Sequence, residues 1–285
     1  MSFRQITIIG TGLIGGSFAL AVRKSGFIGR IVGCDREHVL KQAHDFGAID
    51  DAVTNPAEAV RGSDLIVLAT PVGSIIDLLE RIGPLVSPNA LITDVGSTKS
   101  EIMARARDVF GTNVGSRFLP GHPMAGKEHS GVQHADAHLF NEAVWLLTPY
   151  AGQELSEPNI ARFVSLVRKT GARLLTFDAA EHDRICALVS HLPQMISTAF
   201  ASTLVDELGN DPQAGAIGGR ALREMTRIAK SPYSMWRDIA LTNTKNIQDA
   251  LLKLEQKLAH IRENLRTREL EEEFDHAHEL GKKPG

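Results

Sequence analysis

The residues with the clearest chemistry form a glycine turn, Gly10-Thr11-Gly12-Leu13-Ile14-Gly15, directly after the apolar run Ile6–Ile9. The first glycine permits a tight turn, the second lets backbone approach a pyrophosphate, and the third lets a following helix pack close to its strand. A helix N-terminus at that point offers free N–H groups and the positive end of its dipole to phosphate. Asp35 follows Gly15 by 20 residues, at the end of the second apolar run, where an acid can bind both ribose hydroxyls. Its charge repels a 2′-phosphate and so favours NAD; Arg36 alongside could accept that phosphate, which leaves NADP open. The expected dinucleotide contacts are Gly10, Gly12, Leu13, Ile14, Gly15, Asp35 and Arg36.

Three later segments are polar where a parallel sheet would open its ligand crevice, beyond the carboxyl ends of strands. Thr70-Pro71-Val72 would lie beside the nicotinamide half, which adds Thr70 and Pro71 to the cofactor contacts. Asp94-Val95-Gly96-Ser97-Thr98-Lys99 ends a further strand, with Ser97 placed to cap the next helix. Gly121-His122-Pro123-Met124-Ala125-Gly126 reads as a loop fenced by glycine and proline around one imidazole. A histidine held there is suited to acid–base work, because its unperturbed pKa lies near neutrality. His129, His134 and His138 cluster without a helical i, i+4 pair and a companion acid, so we expect a solvated loop and no metal.

The elements that must position these groups alternate through the first half of the chain. Strands are expected at Ile6–Ile9, Arg30–Cys34, Asp64–Ala69 and Ala90–Asp94, with helices at Leu13–Ser25, Glu37–Phe46 and from about Ser74 and Ser97. Apolar runs without polar alternation suit strands covered on both faces, and this pitch of alternation implies a parallel, doubly wound sheet. Ala143–Leu147 and Arg173–Phe177 are expected to extend that sheet, joined by a helix at Glu157–Thr170. Beyond Phe177 only helices are expected: Ala179–Leu208, Pro212–Ala229 and Pro232 onward. The last carries Ile247, Leu251, Leu254, Leu258, Ile261 and Leu265 at alternating spacings of 4 and 3, an a/d seam. Such a seam serves either packing within its own domain or a homodimer interface. The tail from Gly281 to Gly285 reads as disordered.

Composition narrows the class. A chain of 285 residues suits two domains at roughly 100–200 residues each. Net charge is −3, from 31 basic against 34 acidic residues, so no global field recruits nucleic acid or an anionic membrane. Two cysteines, Cys34 and Cys186, are too few for a disulfide scaffold. The apolar segment Ile6–Val22 is broken by Thr7, Thr11, Ser17 and four glycines, so neither a membrane span nor a signal peptide is expected. A cytoplasmic location follows from that reading.

The ordered set of motifs resembles the prephenate/arogenate dehydrogenases of tyrosine biosynthesis. It comprises Gly10 to Ser17, Asp94 to Lys99, Gly121 to Gly126, Glu181-His182-Asp183, Ser190-His191-Leu192-Pro193, Thr226-Arg227-Ile228-Ala229 and Trp236-Arg237-Asp238. The likeness spans about residues 5 to 245. It implies a Rossmann-type NAD(P) domain over residues 1–177 and a helical substrate and dimerisation domain over 178–285. It implies oxidative decarboxylation of prephenate to 4-hydroxyphenylpyruvate, or of arogenate to tyrosine, with hydride passing to NAD(P)⁺. His122 matches the family's catalytic histidine and Ser97 a serine hydrogen-bonded beside it. Arg227 matches a carboxylate-binding arginine; Ser190 and His191 match pocket residues; Glu128 matches an acid near the pocket; His182 and Asp183 match residues for which a structural role is equally open. The sequence departs from the pattern at Gln194, where prephenate-preferring members often carry a second histidine, and at Lys127, which would add positive charge near the pocket. Both are expected to touch substrate and leave the choice of prephenate or arogenate open. Neither a regulatory ACT domain nor a chorismate mutase segment is expected. Rival readings are a 3-hydroxyacid- or imino-acid-type dehydrogenase on a similar frame, and a silent NAD-sensing protein.

Overall fold

The computed structural model describes residues 3–127, 129–209, 213 and 217–281. Six strands, β1 (Gln5–Ile9), β2 (Arg30–Cys34), β3 (Asp51–Val53), β4 (Leu65–Leu68), β5 (Leu91–Asp94) and β6 (Phe118–Leu119), pair in parallel in the order β3-β2-β1-β4-β5-β6. The order reverses between β1 and β4, with Ile6 in register with both Ile31 and Leu65. That reversal opens a crevice at the carboxyl ends of the strands. Between strands run α1 (Leu13–Lys24), α2 (Glu37–Asp45), α3 (Pro56–Ala59), α4 (Val72–Ile82), α5 (Ser100–Phe110) and α6 (Val114–Arg117). Successive strand residues point to opposite faces. Ile6, Ile8, Leu65 and Val67 therefore join one buried cluster with Phe18, and Ile9, Ile66 and Leu68 join a second with Ile75 and Ile102.

The runs at 143–147 and 173–177 do not extend this sheet. β7 (Gly121–Pro123), β8 (Val144–Leu147) and β9 (Arg173–Thr176) form a separate three-stranded sheet, β7 antiparallel to β8 and β8 parallel to β9. Pro120 stands between β6 and β7, where it lacks the N–H that would continue a ladder. The chain leaves the large sheet after two residues of β6 and pairs instead with β8, placing His122 opposite Leu146. His122 thus lies on a buried strand, and the loop expected for Gly121–Gly126 begins only after Pro123. Trp145, fully buried, packs against Phe18, Phe140 and Phe163 with ring centroids 5.2–6.3 Å apart, which holds the small sheet against α1 and α7 (Pro158–Lys169).

Downstream lie α8 (Ala179–Cys186), a π turn (Ala187–His191), α9 (Leu192–Leu208), α10 (Gly219–Thr226), α11 (Tyr233–Thr242), α12 (Thr244–Glu263) and α13 (Glu269–Gly281). The π turn has a local cause. Pro193 cannot donate to the carbonyl four residues earlier and its ring crowds it, so the helix absorbs an extra residue there. Ala179–Leu208 is long and apolar enough by composition to cross a bilayer, yet it carries buried His182, Asp183, His191 and Gln194 packed against the rest of the chain. The helical core is thin, with Ala187, Ile239 and Ile247 at its centre. Of the expected a/d seam, Ile247 on α12 is buried, whereas Leu258 on the same helix is 55% exposed and Leu265, beyond the end of α12, is 61% exposed. Of the tail expected to be disordered from Gly281 to Gly285, Gly281 closes α13 and residues 282–285 lie outside the described residues, as do Glu128, expected as a pocket acid, and the start of the helix expected from Pro212.

Candidate active site

The glycine turn has the geometry a pyrophosphate requires. Gly10 adopts φ 95°, and a Cβ there would stand 2.4 Å from the Ala69 carbonyl oxygen. A Cβ on Gly15 would stand 1.9 Å from the Gly10 oxygen, so strand and helix meet at backbone contact. A Cβ on Gly12 would meet nothing within 4 Å: that face is open. Gly12 is also the N-cap of α1 and supplies no side-chain cap, leaving the first N–H groups to a ligand. Leu13 is buried beneath the turn and Ile14 half-buried. Asp35 directly follows β2, its carboxylate accepting from the Thr11 N–H at 2.9 Å and the Arg36 N–H at 2.7 Å. That clamps acid and turn together while leaving lone pairs for ribose hydroxyls. Arg36 is exposed at the N-cap of α2. Thr70 and exposed Pro71 follow β4, and the Thr70 Oγ1 is buried with no hydrogen-bond partner. An open glycine face, uncapped N–H groups, an acid at the ribose position and an orphan hydroxyl fit NAD.

His122 heads a buried chain of hydrogen bonds beside the carboxyl end of β5. Its Nδ1 lies 2.9 Å from His182 Nε2, and His182 Nδ1 lies 2.9 Å from Asp183 Oδ1. Asp183 also accepts from the backbone N–H groups of Lys99 at 2.7 Å and Ser100 at 2.9 Å. Burial opposes its charge, but bonds from His182, Ser100 and Lys99 hold the carboxyl below its ordinary range. An ionised carboxylate can only accept, so His182 carries its proton on Nδ1 and its lone pair on Nε2. His122 then donates from Nδ1, and its own Nε2 is left as a free base. Burial, reinforced by His182 and Lys99, holds His122 well below the usual histidine value, which keeps that base unprotonated.

The peptide before His122 is gripped from both sides. Gly121 N–H donates to Asp94 Oδ1 at 3.2 Å and Gly121 O accepts from Lys99 Nζ at 2.7 Å, while Lys99 and Asp94 form a fully buried ion pair. Breaking one half of such a pair strands a buried charge. The segment Asp94–Lys99 therefore acts as a mount for the imidazole. Ser97 is not the cap of α5, nor does its side chain bond to His122. α5 begins at Ser100 and its N-terminus is capped by Asp183 from the helical part. Asp238 does the same for α4, accepting from Gly73 N–H at 3.0 Å. Neither helix has a side-chain cap of its own. Two carboxylates on two positive helix ends thus fasten the helical part across the crevice.

His191 is buried beside these groups, and the π turn explains why. In an unbroken α-helix eight residues span about 2.2 turns; removing one from the count gives about 1.9 turns. Asp183 and His191 then share a face, bridged by Asn243, whose Nδ2 donates to the Asp183 carbonyl at 2.8 Å and lies 3.2 Å from His191 Nδ1. The Asn243 Oδ1 accepts from Asn246, which settles the amide orientation and leaves a proton on His191 Nε2. That nitrogen is buried without a partner, edge-on to Trp236 at 5.9 Å between centroids. Burial pushes His191 down to about 4.

Other expected substrate contacts are less convergent. Ser190 is half-buried in the π turn, and Gln194 is buried one turn further, its Nε2 donating to Thr198 Oγ1 at 3.2 Å. Arg227 is exposed at the C-cap of α10, a segment hung on α9 by Ser197 Oγ donating to Met225 O at 2.7 Å. Lys127 does not add free charge to the pocket: its ammonium binds His134 O at 3.1 Å and Asp136 at 3.2 Å. The sequence reading missed the mounting roles of Lys99 and Asp94 and the bridge at Asn243. A lysine inside an otherwise buried strand–helix junction was the available signal for the first; nothing local marks the second.

The family described as prephenate dehydrogenase, nucleotide-binding domain, matches residues 18–176, and its dimerization domain matches residues 178–279. A prephenate dehydrogenase of Lactococcus lactis is 35% identical over 98% of this chain and 76% of its own length. One of Bacillus subtilis is 34% identical over 86% of this chain, which spans 65% of that protein. A crystal structure of prephenate dehydrogenase from A. aeolicus, in complex with hydroxyphenyl propionate and NAD⁺, superposes with a TM-score of 0.86 at 30% identity, covering 99% of this chain and 97% of that one.

Proposed function

Because the chain belongs to the prephenate dehydrogenase family and is an NAD-dependent oxidoreductase, we propose that it converts prephenate to 4-hydroxyphenylpyruvate and CO₂, with His122 as the catalytic base. The observation that carries this is the tautomer imposed by the Asp183–His182–His122 chain, which leaves His122 Nε2 as a buried lone pair next to the nucleotide crevice. NAD⁺, bound by the Gly10–Gly15 turn and Asp35, supplies the hydride acceptor. His122 takes the proton of the 4-hydroxyl as the C4–H hydride departs. Loss of the ring carboxylate as CO₂ returns an electron pair to the ring, and the proton goes back to the oxygen of the new phenol. Aromatisation supplies the driving force, so the chain's work is positioning and proton transfer. His191 Nε2–H offers a buried donor to a substrate oxygen, and Arg227 is the carboxylate grip, a guanidinium fork suited to bidentate binding. Ser97 stays beside the cofactor as a contact to nicotinamide or substrate. Residues 1–177 bind nucleotide, and 178–285 complete the substrate site and form a homodimer through their helices.

Gln194 gives one of its two amide N–H groups to Thr198, which leaves its carbonyl oxygen to accept from the α-ammonium of arogenate and its second N–H to donate to the keto group of prephenate. Both cysteines are free buried thiols, which suits a cytoplasmic location.

The test is turnover of purified protein with NAD⁺ and either substrate, followed at the reduced nicotinamide band. We expect turnover of prephenate, and His122→Asn to lower kcat by at least about 100-fold with NAD⁺ affinity retained. Near-normal turnover of that variant would remove His122 from the mechanism.

A further inference from the structure

Three metal-ligating atoms converge under the imidazole of His122. One ligand atom from each of His122, His182 and Cys186 lies within 4.8 Å of the other two, and all three residues are buried. Cys186 Sγ is 3.6 Å from His182 Nε2, and His122 Nδ1 is 2.9 Å from the same nitrogen. A tetrahedral zinc-type ion with bonds of about 2.0–2.1 Å to nitrogen and 2.3 Å to sulfur holds such atoms roughly 3.3–3.6 Å apart. The cluster needs only small side-chain movements to reach that spacing. His182 and Cys186 stand four residues apart on α8 and so share a helix face. His182 is already oriented by Asp183 on its far nitrogen, the carboxylate–histidine arrangement that supports metal-bound imidazoles. Charge also suits a cation. Asp94 and Asp183 against Lys99 leave one net negative charge; a divalent ion with one thiolate brings the sum to zero.

We propose that His122, His182 and Cys186 bind one thiophilic divalent cation of the zinc class, with a fourth position open, and that its binding turns the enzyme off. The proton balance gives the reason. The ion takes the Nδ1 position of His122, whose proton moves to Nε2 of the same neutral ring, and the Cys186 thiol proton leaves to solvent. One proton is released per ion. His122 Nε2 then carries hydrogen where it held a lone pair, so it cannot take the proton of a substrate hydroxyl. The inhibition rests on His122 being the base; the binding of the ion does not.

The experiment uses the 285-residue chain freed of metal by a chelator, with Co²⁺ as the spectroscopic probe and Zn²⁺ as the inhibitor. We expect one equivalent of Co²⁺ to give tetrahedral visible bands and a thiolate-to-cobalt charge-transfer band, with one proton released. Zn²⁺ should abolish turnover, and excess chelator should restore it. Cys186→Ala and Cys186→Ser should both lose the charge-transfer band. The Zn²⁺ needed for half-inhibition, measured against each variant's own metal-free rate, should rise at least about tenfold. A wild-type cobalt spectrum without thiolate charge transfer would overturn the site, whatever the variants do. So would folded Cys186 variants inhibited at the wild-type Zn²⁺ concentration. The cobalt spectrum is read without substrate, so it decides the site even if the protein fails to oxidise prephenate.

Discussion

Replacing Asp183 by Asn probes the whole relay, because this carboxylate does two jobs. It accepts from His182 Nδ1 and from two backbone N–H groups at the start of α5. Asparagine has one acceptor oxygen and an NH₂ donor. If the oxygen keeps the helix end, the NH₂ faces His182 and donates to Nδ1, so His182 must carry its proton on Nε2. That proton points at His122 Nδ1, which becomes the acceptor, and His122 Nε2 becomes protonated. One substitution two side chains away thus inverts the base. The same change in a serine-protease triad, which also imposes the wrong tautomer, costs about 10⁴ in kcat. With a further imidazole in the chain we expect a loss of about 10²–10⁴, equivalent to roughly 3–5 kcal/mol of transition-state stabilisation. The capping loss is separate. One strained or missing bond to a buried N–H costs about 1–3 kcal/mol, which lowers Tm by several degrees in a chain of this size. Initial rates at the reduced nicotinamide band give kcat; thermal denaturation gives Tm. We expect kcat to collapse with the KM for NAD⁺ changed little, because the glycine turn and Asp35 lie on other elements. A folded variant with kcat within threefold of wild type, despite a lowered Tm, would refute the relay and reduce Asp183 to a cap.

Two further outcomes follow from geometry and burial. Gly12→Ala should fold with unchanged Tm yet raise the KM for NAD⁺ at least tenfold, since its Cβ enters the open face; Gly15→Ala should lower Tm, since its Cβ would stand 1.9 Å from a carbonyl oxygen. Equal effects of the two on Tm would contradict the assigned roles. His191 has a folded pKa of about 4 against 6.5 unfolded, so below pH 6.5 the unfolded chain binds a proton the native state does not, and stability falls as pH drops toward 4. At pH 5 that single group removes about 2 kcal/mol. His191→Gln should therefore lose less Tm than wild type between pH 7 and pH 5, and an identical loss would show that His191 is not buried neutral.

Much of this was legible along the chain because it depends on local pattern. The glycine turn, its flanking strand and helix and the acid at the second strand end are contiguous or one unit apart. Arg30–Cys34 was read to the residue, and the helices on either side within one or two. Less legible were elements whose existence depends on a partner. The two-residue β6 and the three-residue β7 have no periodicity to show, and β7 exists because β8 lies beside it. The runs at 143–147 and 173–177 read correctly as strands but were assigned to the wrong sheet, since an apolar run does not encode its neighbour. Ser97 resembled a cap because Ser-x-x often is one; the true cap of α5, Asp183, comes from more than 80 residues away.

What the sequence determined by itself is the chemistry available: a pyrophosphate turn, a ribose acid, an imidazole between glycine and proline, and helices with an apolar seam. These follow from residue type and short-range spacing, where backbone sterics and periodicity act directly. What only the tertiary structure decided is which proton sits on which nitrogen. That depends on Asp183 meeting both His182 and the end of α5, on Lys99 and Asp94 holding Gly121, and on a π turn bringing His191 under Asn243. Hydrogen-bond direction propagates through contacts between distant segments, so the nitrogen of His122 that keeps its lone pair is fixed only once those segments are packed together.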